Sequence, residues 1–170
     1  YEEEIYKTAE IMNLKDHAFT FLHCVTVYPT PLEMINLKRM EWLKQFTNSV
    51  GLSDHTLVKR DGVIAALVAI YLGAEFIERH FTILPSDQTK DGAVSINSNH
   101  IKQLVDFSHL NKKEQKVYLF EKFPDWEKVL GNGKLVLSHE ELLNRDYYRG
   151  RFSTKVADKV VYNWENTELS

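Results

Sequence analysis

The sequence contains only one cysteine in 170 residues, Cys24. An intrachain disulfide is therefore impossible, and such cysteine usage favours a reducing, cytoplasmic setting. Apolar residues never form a run of the length that a bilayer requires, so we expect no membrane partner. The net charge of −3 comes from interspersed acidic and basic residues, which leaves no basic patch for nucleic acid. These absences favour a cytoplasmic globular protein.

Three short apolar and aromatic runs, each followed by a helical pattern, organise the first part of the chain. They predict strands at 18–24, 49–53 and 75–80. Apolar residues spaced three and four apart predict a helix after each strand, the second of which ends at Gly73. A further amphipathic helix over 2–13 precedes the first strand. This repeated order is typical of a parallel sheet with right-handed crossovers.

Each predicted strand finishes in polar residues. His23 closes the first strand, His55 follows the second, and His80 ends the third. Because side chains alternate along a strand, Ser53 shares a face with His55, and Glu78 shares one with His80. Two adjacent strands would therefore direct two imidazoles at one point.

The polar ends of all three strands favour one of two α/β architectures. In an open sheet only the strands beside the switch point would meet, whereas in a TIM (β/α)8 barrel every strand reaches one rim. We therefore predict the barrel. A complete barrel needs about 250 residues, so residues 1–115 would form only its last three strand–helix units, with 116–170 as a linker or appended segment. A start without Met also indicates a piece of a longer protein.

The sequence resembles the bacterial sialic acid synthase family, which includes N-acetylneuraminate, legionaminate and pseudaminate synthases. Four segments carry the resemblance: FLHC at 21–24, YPTP at 28–31, GLSDHT at 51–56 and IERHFT at 77–82. The family implies a (β/α)8 barrel followed by a small antifreeze-like domain. It also implies condensation of phosphoenolpyruvate with an N-acetylhexosamine of the N-acetylmannosamine type, giving a nonulosonic acid and phosphate.

The resemblance implies a metal site and part of a substrate site. His55 and His80 match the two histidines that hold a divalent metal, typically Mn²⁺. Such an ion acts as a Lewis acid on an aldehyde oxygen. Ser53 matches a serine that contacts the phosphate of phosphoenolpyruvate, and Tyr28 matches a tyrosine near the acceptor sugar. Glu78 falls beside the second metal histidine, where it would act as an acid–base group, orient the ligand or form a salt bridge.

Two further positions complete the implied substrate site, and both adjoin departures from the family. Asp91 matches an aspartate that binds sugar hydroxyls, but Gly92 follows it where other members have histidine. Thr26 stands where some relatives place an asparagine on the phosphate. The first five strands, with the lysines that bind phosphoenolpyruvate, are absent. The segment from 116 onward does not match an antifreeze-like domain.

Several residues near the motifs also have structural interpretations. His23 would be packed and hydrogen-bonded at its strand end. Asp54 points away from the face of His55, so we expect it to cap the following turn. Cys24 is flanked by apolar residues and is predicted to be a buried thiol.

Two other functions fit the same sequence. An incomplete barrel leaves two strand edges exposed, so the chain would instead serve as a non-catalytic assembly module that pairs with another chain. A different phosphoenolpyruvate-dependent, aldol-type barrel would share the metal but use another acceptor. For the synthase we expect a homodimer, or assembly with the missing barrel half.

Overall fold

The computed structural model describes residues 1–151, 153–156 and 159–162. Its centre is a parallel sheet of three strands in the order β1-β2-β3, with helices between successive strands. The α/β class and the three parallel strands predicted from the sequence are confirmed. The strands are β1 (Phe21–Cys24), β2 (Val50–Asp54) and β3 (Phe76–Arg79).

Seven α-helices and a second, antiparallel pair of strands lie in the described part of the chain. Short 3-10 turns occupy the loops. No helix described there has both the length and the apolar character that a bilayer span needs. The helices are α1 (Glu2–Leu14), α2 (Arg39–Leu43), α3 (Val58–Asp61), α4 (Ile64–Tyr71), α5 (Ser98–Ser108), α6 (Lys112–Lys122) and α7 (His139–Arg151), and the hairpin strands are β4 (Ser153–Val156) and β5 (Lys159–Tyr162).

Helix α4 is the centre of the hydrophobic core. Its residues are apolar on every side, which is typical of a helix enclosed by other elements. It packs on β2 and β3 and is covered by α5, α6 and the turn at Trp126–Val129. Ala65 and Leu67 have no exposed surface. Gly73 follows the helix with a φ of +88°, as the predicted helix stop requires.

The segment predicted as a linker from residue 116 packs against the strand–helix units at its start. Leu119 and Val129 are fully buried in the same core. The backbone amide of Leu37 donates to the carbonyl of Val129 over 2.8 Å. Helix α7 also lies in this segment and begins at His139. Residues 152, 157–158 and 163–170 of the predicted tail lie outside the described residues.

His23 holds β1 to the chain that follows it. Its Nε2 lies 2.6 Å from the carbonyl oxygen of Ile35, and since a carbonyl only accepts, the ring donates from that nitrogen. The structural interpretation of His23 is therefore confirmed. Burial lowers the pKa of His23 below its ordinary value of 6.5, although the bond to Ile35 acts in the opposite direction.

We expect His23 to make the folded chain less stable in mild acid. A histidine with a folded-state pKa below its unfolded value favours folding fully above the unfolded pKa, and stability falls as the pH drops below about 6.5. A His23→Gln variant keeps a donor for Ile35 but cannot titrate. Urea unfolding should show a smaller loss of unfolding free energy between pH 7 and 5 for this variant than for the unchanged chain. An identical pH dependence in both proteins would contradict the assignment.

Candidate functional site

The register of the three parallel strands brings the predicted site residues to one side of the sheet. Cys24 pairs with Ser53, and Ser53 pairs with Glu78. Paired residues on neighbouring strands point to the same face, and every second residue returns to it. We call the face with Cys24, Ser53 and Glu78 the inner face. His55 and His80 come two residues after Ser53 and Glu78 and therefore lie on the same face. His23 lies on the opposite face.

The two histidines lie side by side at the carboxyl ends of β2 and β3. Their ring centroids are 5.4 Å apart. His55 is buried, with 5% of its surface exposed, whereas 38% of the His80 side chain remains exposed. Burial, and then the neighbouring His80, lower the pKa of His55, so its ring is neutral at pH 7. A neutral imidazole is the form that binds metal ions.

Tyr28 reaches this pair from the loop after β1. Its hydroxyl lies 2.7 Å from Nε2 of His55, and the two rings are 4.1 Å apart. Desolvation raises the pKa of Tyr28 to about 12, so the hydroxyl beside His55 keeps its proton at pH 7. The predicted sugar-contacting tyrosine thus touches a predicted metal ligand.

Asp91 and Glu78 supply the carboxylates of the site. One oxygen of Asp91 lies 3.8 Å from Nδ1 of His80. Glu78 is exposed, and its Oε1 accepts a hydrogen bond of 2.6 Å from the hydroxyl of Ser53. That bond uses the only proton of Ser53. To donate to a phosphate, Ser53 would therefore have to release Glu78.

The protein side chains at this site could supply only some of the ligands of a metal ion. Among the described residues, no group of three or more His, Cys, Asp or Glu side chains could hold an ion. His55 and His80 fit as a pair, because metal–nitrogen bonds of about 2.1 Å are compatible with rings at this separation. Tyr28 would have to give up Nε2 of His55 to an ion bound there. The remaining ligands would be oxygens from water and substrate.

Two residues at the end of β1 differ from the other candidates. Cys24 is exposed, so the predicted buried thiol is wrong: no strand in the described chain covers the β1 edge, and the side chain lies on the open inner face. Its sulfur is 3.8 Å from Nδ1 of His55. Thr26 lines a cavity of about 480 Å³ between α1, β1 and α7, whose lining includes neither histidine. Its carbonyl accepts a hydrogen bond from Asn144.

A buried ion pair behind the histidines was not predicted. Asp54 accepts a hydrogen bond from the amide of Thr56 over 2.9 Å, which confirms the predicted turn cap. Its other oxygen pairs with Arg79. The signal lay in the pattern, since opposite charges one residue before His55 and His80 fall opposite each other once the strands are paired.

Sequence comparison finds relatives that are named as synthases. A model of the NeuB family matches residues 1–116. The chain is 34% identical over 170 residues to the pseudaminic acid synthase of Campylobacter jejuni serotype O:23/36, which covers 98% of this chain and 44% of that protein. It is 41% identical over 91 residues to the N,N'-diacetyllegionaminic acid synthase of Campylobacter jejuni. That match covers 53% of this chain and 26% of that protein. The chain thus spans less than half the length of the curated relatives it matches.

Comparison with solved structures finds the same kind of protein. The spore coat polysaccharide biosynthesis protein SpsE of Bacillus subtilis aligns with a TM-score of 0.65 and 26% identity, covering 84% of this chain and 39% of that one. An N-acetylneuraminic acid synthetase of Leptospira borgpetersenii, solved with citrate, aligns with a TM-score of 0.58 and 28% identity, covering 86% and 45%.

Proposed function

The chain belongs to the NeuB family, and from this premise we propose that it carries the metal-binding part of an enzyme that condenses phosphoenolpyruvate with an N-acetylhexosamine. The resemblance predicted from the sequence motifs is confirmed by this membership. Relatives named as pseudaminic, legionaminic and N-acetylneuraminate-9-phosphate synthases support a nonulosonic acid as the product. The acceptor would be an N-acetylmannosamine-type sugar.

One observation carries the proposal. The imidazoles of His55 and His80 lie 5.4 Å apart at the carboxyl ends of adjacent parallel strands, on the same face as Ser53 and Glu78. In an α/β barrel this end of the strands holds the active site. We therefore propose that β1, β2 and β3 form the last three strands of a (β/α)8 barrel.

In the proposed enzyme, His55 and His80 hold a divalent cation. Mn²⁺ accepts imidazole together with oxygen ligands, although Zn²⁺ or Co²⁺ would bind the two nitrogens at least as well. The bound cation supplies Lewis acidity toward the aldehyde oxygen of the sugar. Burial keeps His55 neutral for this task, and Asp91 lies beside Nδ1 of His80.

The remaining residues bind and orient the substrates. Glu78 presents an exposed carboxylate that accepts a hydrogen bond from the hydroxyl of Ser53, and it would act as the acid–base group at that position. Ser53 would contact the phosphate of phosphoenolpyruvate, as would Thr26, which stands where some relatives place an asparagine on that group. Tyr28 and Asp91 are about half exposed and would contact the hydroxyls of the sugar.

Mn²⁺ binding is expected to depend on both histidines. Isothermal titration should detect one Mn²⁺ per chain, and removal of both imidazoles in a His55→Ala, His80→Ala double variant should abolish the binding. His23→Gln is the matched control, because it alters a histidine of the neighbouring strand on the opposite face and should leave the affinity unchanged. Equal, negligible binding by the unchanged chain and the double variant would refute the metal assignment.

Product formation should require the cation and an acetamido sugar together. Because the strands that would bind phosphoenolpyruvate lie outside this sequence, the assay joins the chain to a polypeptide that supplies the other five barrel strands. In a mixture of this completed barrel, Mn²⁺, phosphoenolpyruvate and N-acetylmannosamine, we expect phosphate release and a nine-carbon acid by mass spectrometry. Glu78→Gln should lower the rate by about 10²-fold or more if it acts as the acid–base group. Equal turnover with an aldose that lacks the acetamido group would favour another aldol-type barrel. No release by the completed barrel in the full mixture would contradict the proposed condensation.

Edge pairing with another chain remains a second candidate function, because β1 and β3 each have a single neighbour in the described sheet. Phe76 of β3 is also 54% exposed on the inner face. Exposed strand edges and large exposed apolar side chains favour association.

We therefore expect an assembly larger than one chain at micromolar concentration. Light scattering after size exclusion measures its mass. A Phe76→Lys variant places a charge at the β3 edge and should shift the chain toward the monomer. Ile83→Lys is the control, since Ile83 is 87% exposed and lies outside the strands. A stable monomer of the unchanged chain would count against assembly.

A further inference from the structure

Arg79 makes more hydrogen bonds around the site than either histidine. Its Nη1 pairs with Asp54 and donates over 2.9 Å to the hydroxyl of Thr56. Its Nη2 donates over 2.6 Å to the carbonyl of Thr56, and its Nε donates over 3.3 Å to the carbonyl of Val94. Four of the five N–H groups of the guanidinium are thereby used.

This network lies directly behind the two imidazoles. Asp54 precedes His55 and Arg79 precedes His80. Because side chains alternate, both charges lie on the side of the sheet that faces the helices, which we call the outer face. The side chains of Asp54 and Arg79 are 0% and 2% exposed. Neither side chain reaches the open inner face where a substrate would bind.

The network fixes the backbone on both sides of the histidine pair. The amide of Thr56 is bonded to Asp54 and its carbonyl to Arg79, while the carbonyl of His55 accepts from the amide of Thr30 over 2.9 Å. The peptide groups that follow His55 are thus held on each side, which fixes the backbone that carries its imidazole.

Arg79 also ties the loop of Asp91 to the same point. Val94 accepts from Nε of Arg79 and belongs to the 3-10 turn that Asp91 precedes. Two residues further, the amide of Ile96 donates over 2.8 Å to the carbonyl of His80. The guanidinium of Arg79 therefore contacts both the residues next to His55 and the loop that carries Asp91, which lies beside His80.

We propose that Arg79 and Asp54 are positioning residues that hold His55 and His80 at the separation required to share one cation. This inference rests on the proposed function, because that function supplies the cation. The planar guanidinium donates to four acceptor atoms on three residues at fixed angles, which a lysine ammonium cannot reproduce. Loss of this fork should loosen the histidines although the positive charge is kept.

An Arg79→Lys variant tests the proposal. We expect Mn²⁺ to bind about tenfold more weakly by isothermal titration, in line with other residues that orient metal ligands. The side-chain NMR signals of His55 and His80 should also shift in the metal-free chain at one fixed pH. Circular dichroism checks that the variant is folded. If it does not fold, Thr56→Val removes one acceptor of Arg79 without changing the charges and should give a smaller change of the same kind.

Arg39→Lys is the matched control. Arg39 is also buried, pairs with Glu2 over 2.8 Å and lies away from the histidines. It should lose thermal stability but keep its Mn²⁺ affinity and histidine signals. The proposal is overturned if Arg79→Lys leaves the signals and affinity unchanged, or if Arg39→Lys changes them equally. If the unchanged chain binds no Mn²⁺, the metal proposal fails, and the NMR comparison alone decides whether Arg79 positions the rings.

Discussion

The alternation of side chains along three parallel strands in a fixed register is the constraint on which the site depends. It places Ser53 beside Glu78 on the inner face and Asp54 beside Arg79 on the outer face. A slip by one residue would turn His55 toward the apolar surface of α4 and move Leu52 away from it. Because Leu52 is fully buried, the hydrophobic core and the site select the same register.

The two faces of the sheet meet different energetic requirements. On the outer face, burial removes water from the charges of Asp54 and Arg79, which costs free energy. The attraction between the two charges and the hydrogen bonds from Arg79 to Thr56 and Val94 offset that cost. The inner face contains Gly51, where a Cβ atom would lie 2.3 Å from the carbonyl oxygen of Phe76. A side chain at this position would push β2 and β3 apart below the site.

Sequence patterns predicted the features that depend on near neighbours. The three strands, the stop at Gly73 and the shared face of Ser53 and His55 follow from local alternation and backbone preference. Features that depend on distant chain segments did not follow. Helix α2 begins only at Arg39, since the amides of Leu37 and Lys38 bond to carbonyls more than 90 residues away rather than entering a helix.

The contacts around the candidate site show the same distinction. Tyr28 reaches His55 from 27 residues earlier only because the loop after β1 folds over the strand ends. The exposure of Cys24 depends on what lies beside β1, and its apolar sequence neighbours carried no information about that. Arg79 formed no recognisable motif, because its partners come from two other segments, 54–56 and the loop that contains Val94.

The separation of the two faces also bears on how such proteins diverge. Tyr28 and Asp91 are roughly half exposed, whereas the side chains of Asp54 and Arg79 are almost completely enclosed. Substitutions of exposed residues usually change folding free energy by less than about 0.5 kcal/mol. A lineage can therefore exchange these exposed groups while the buried ion pair stays intact. One scaffold can then give rise to relatives whose names refer to several different nonulosonic acids.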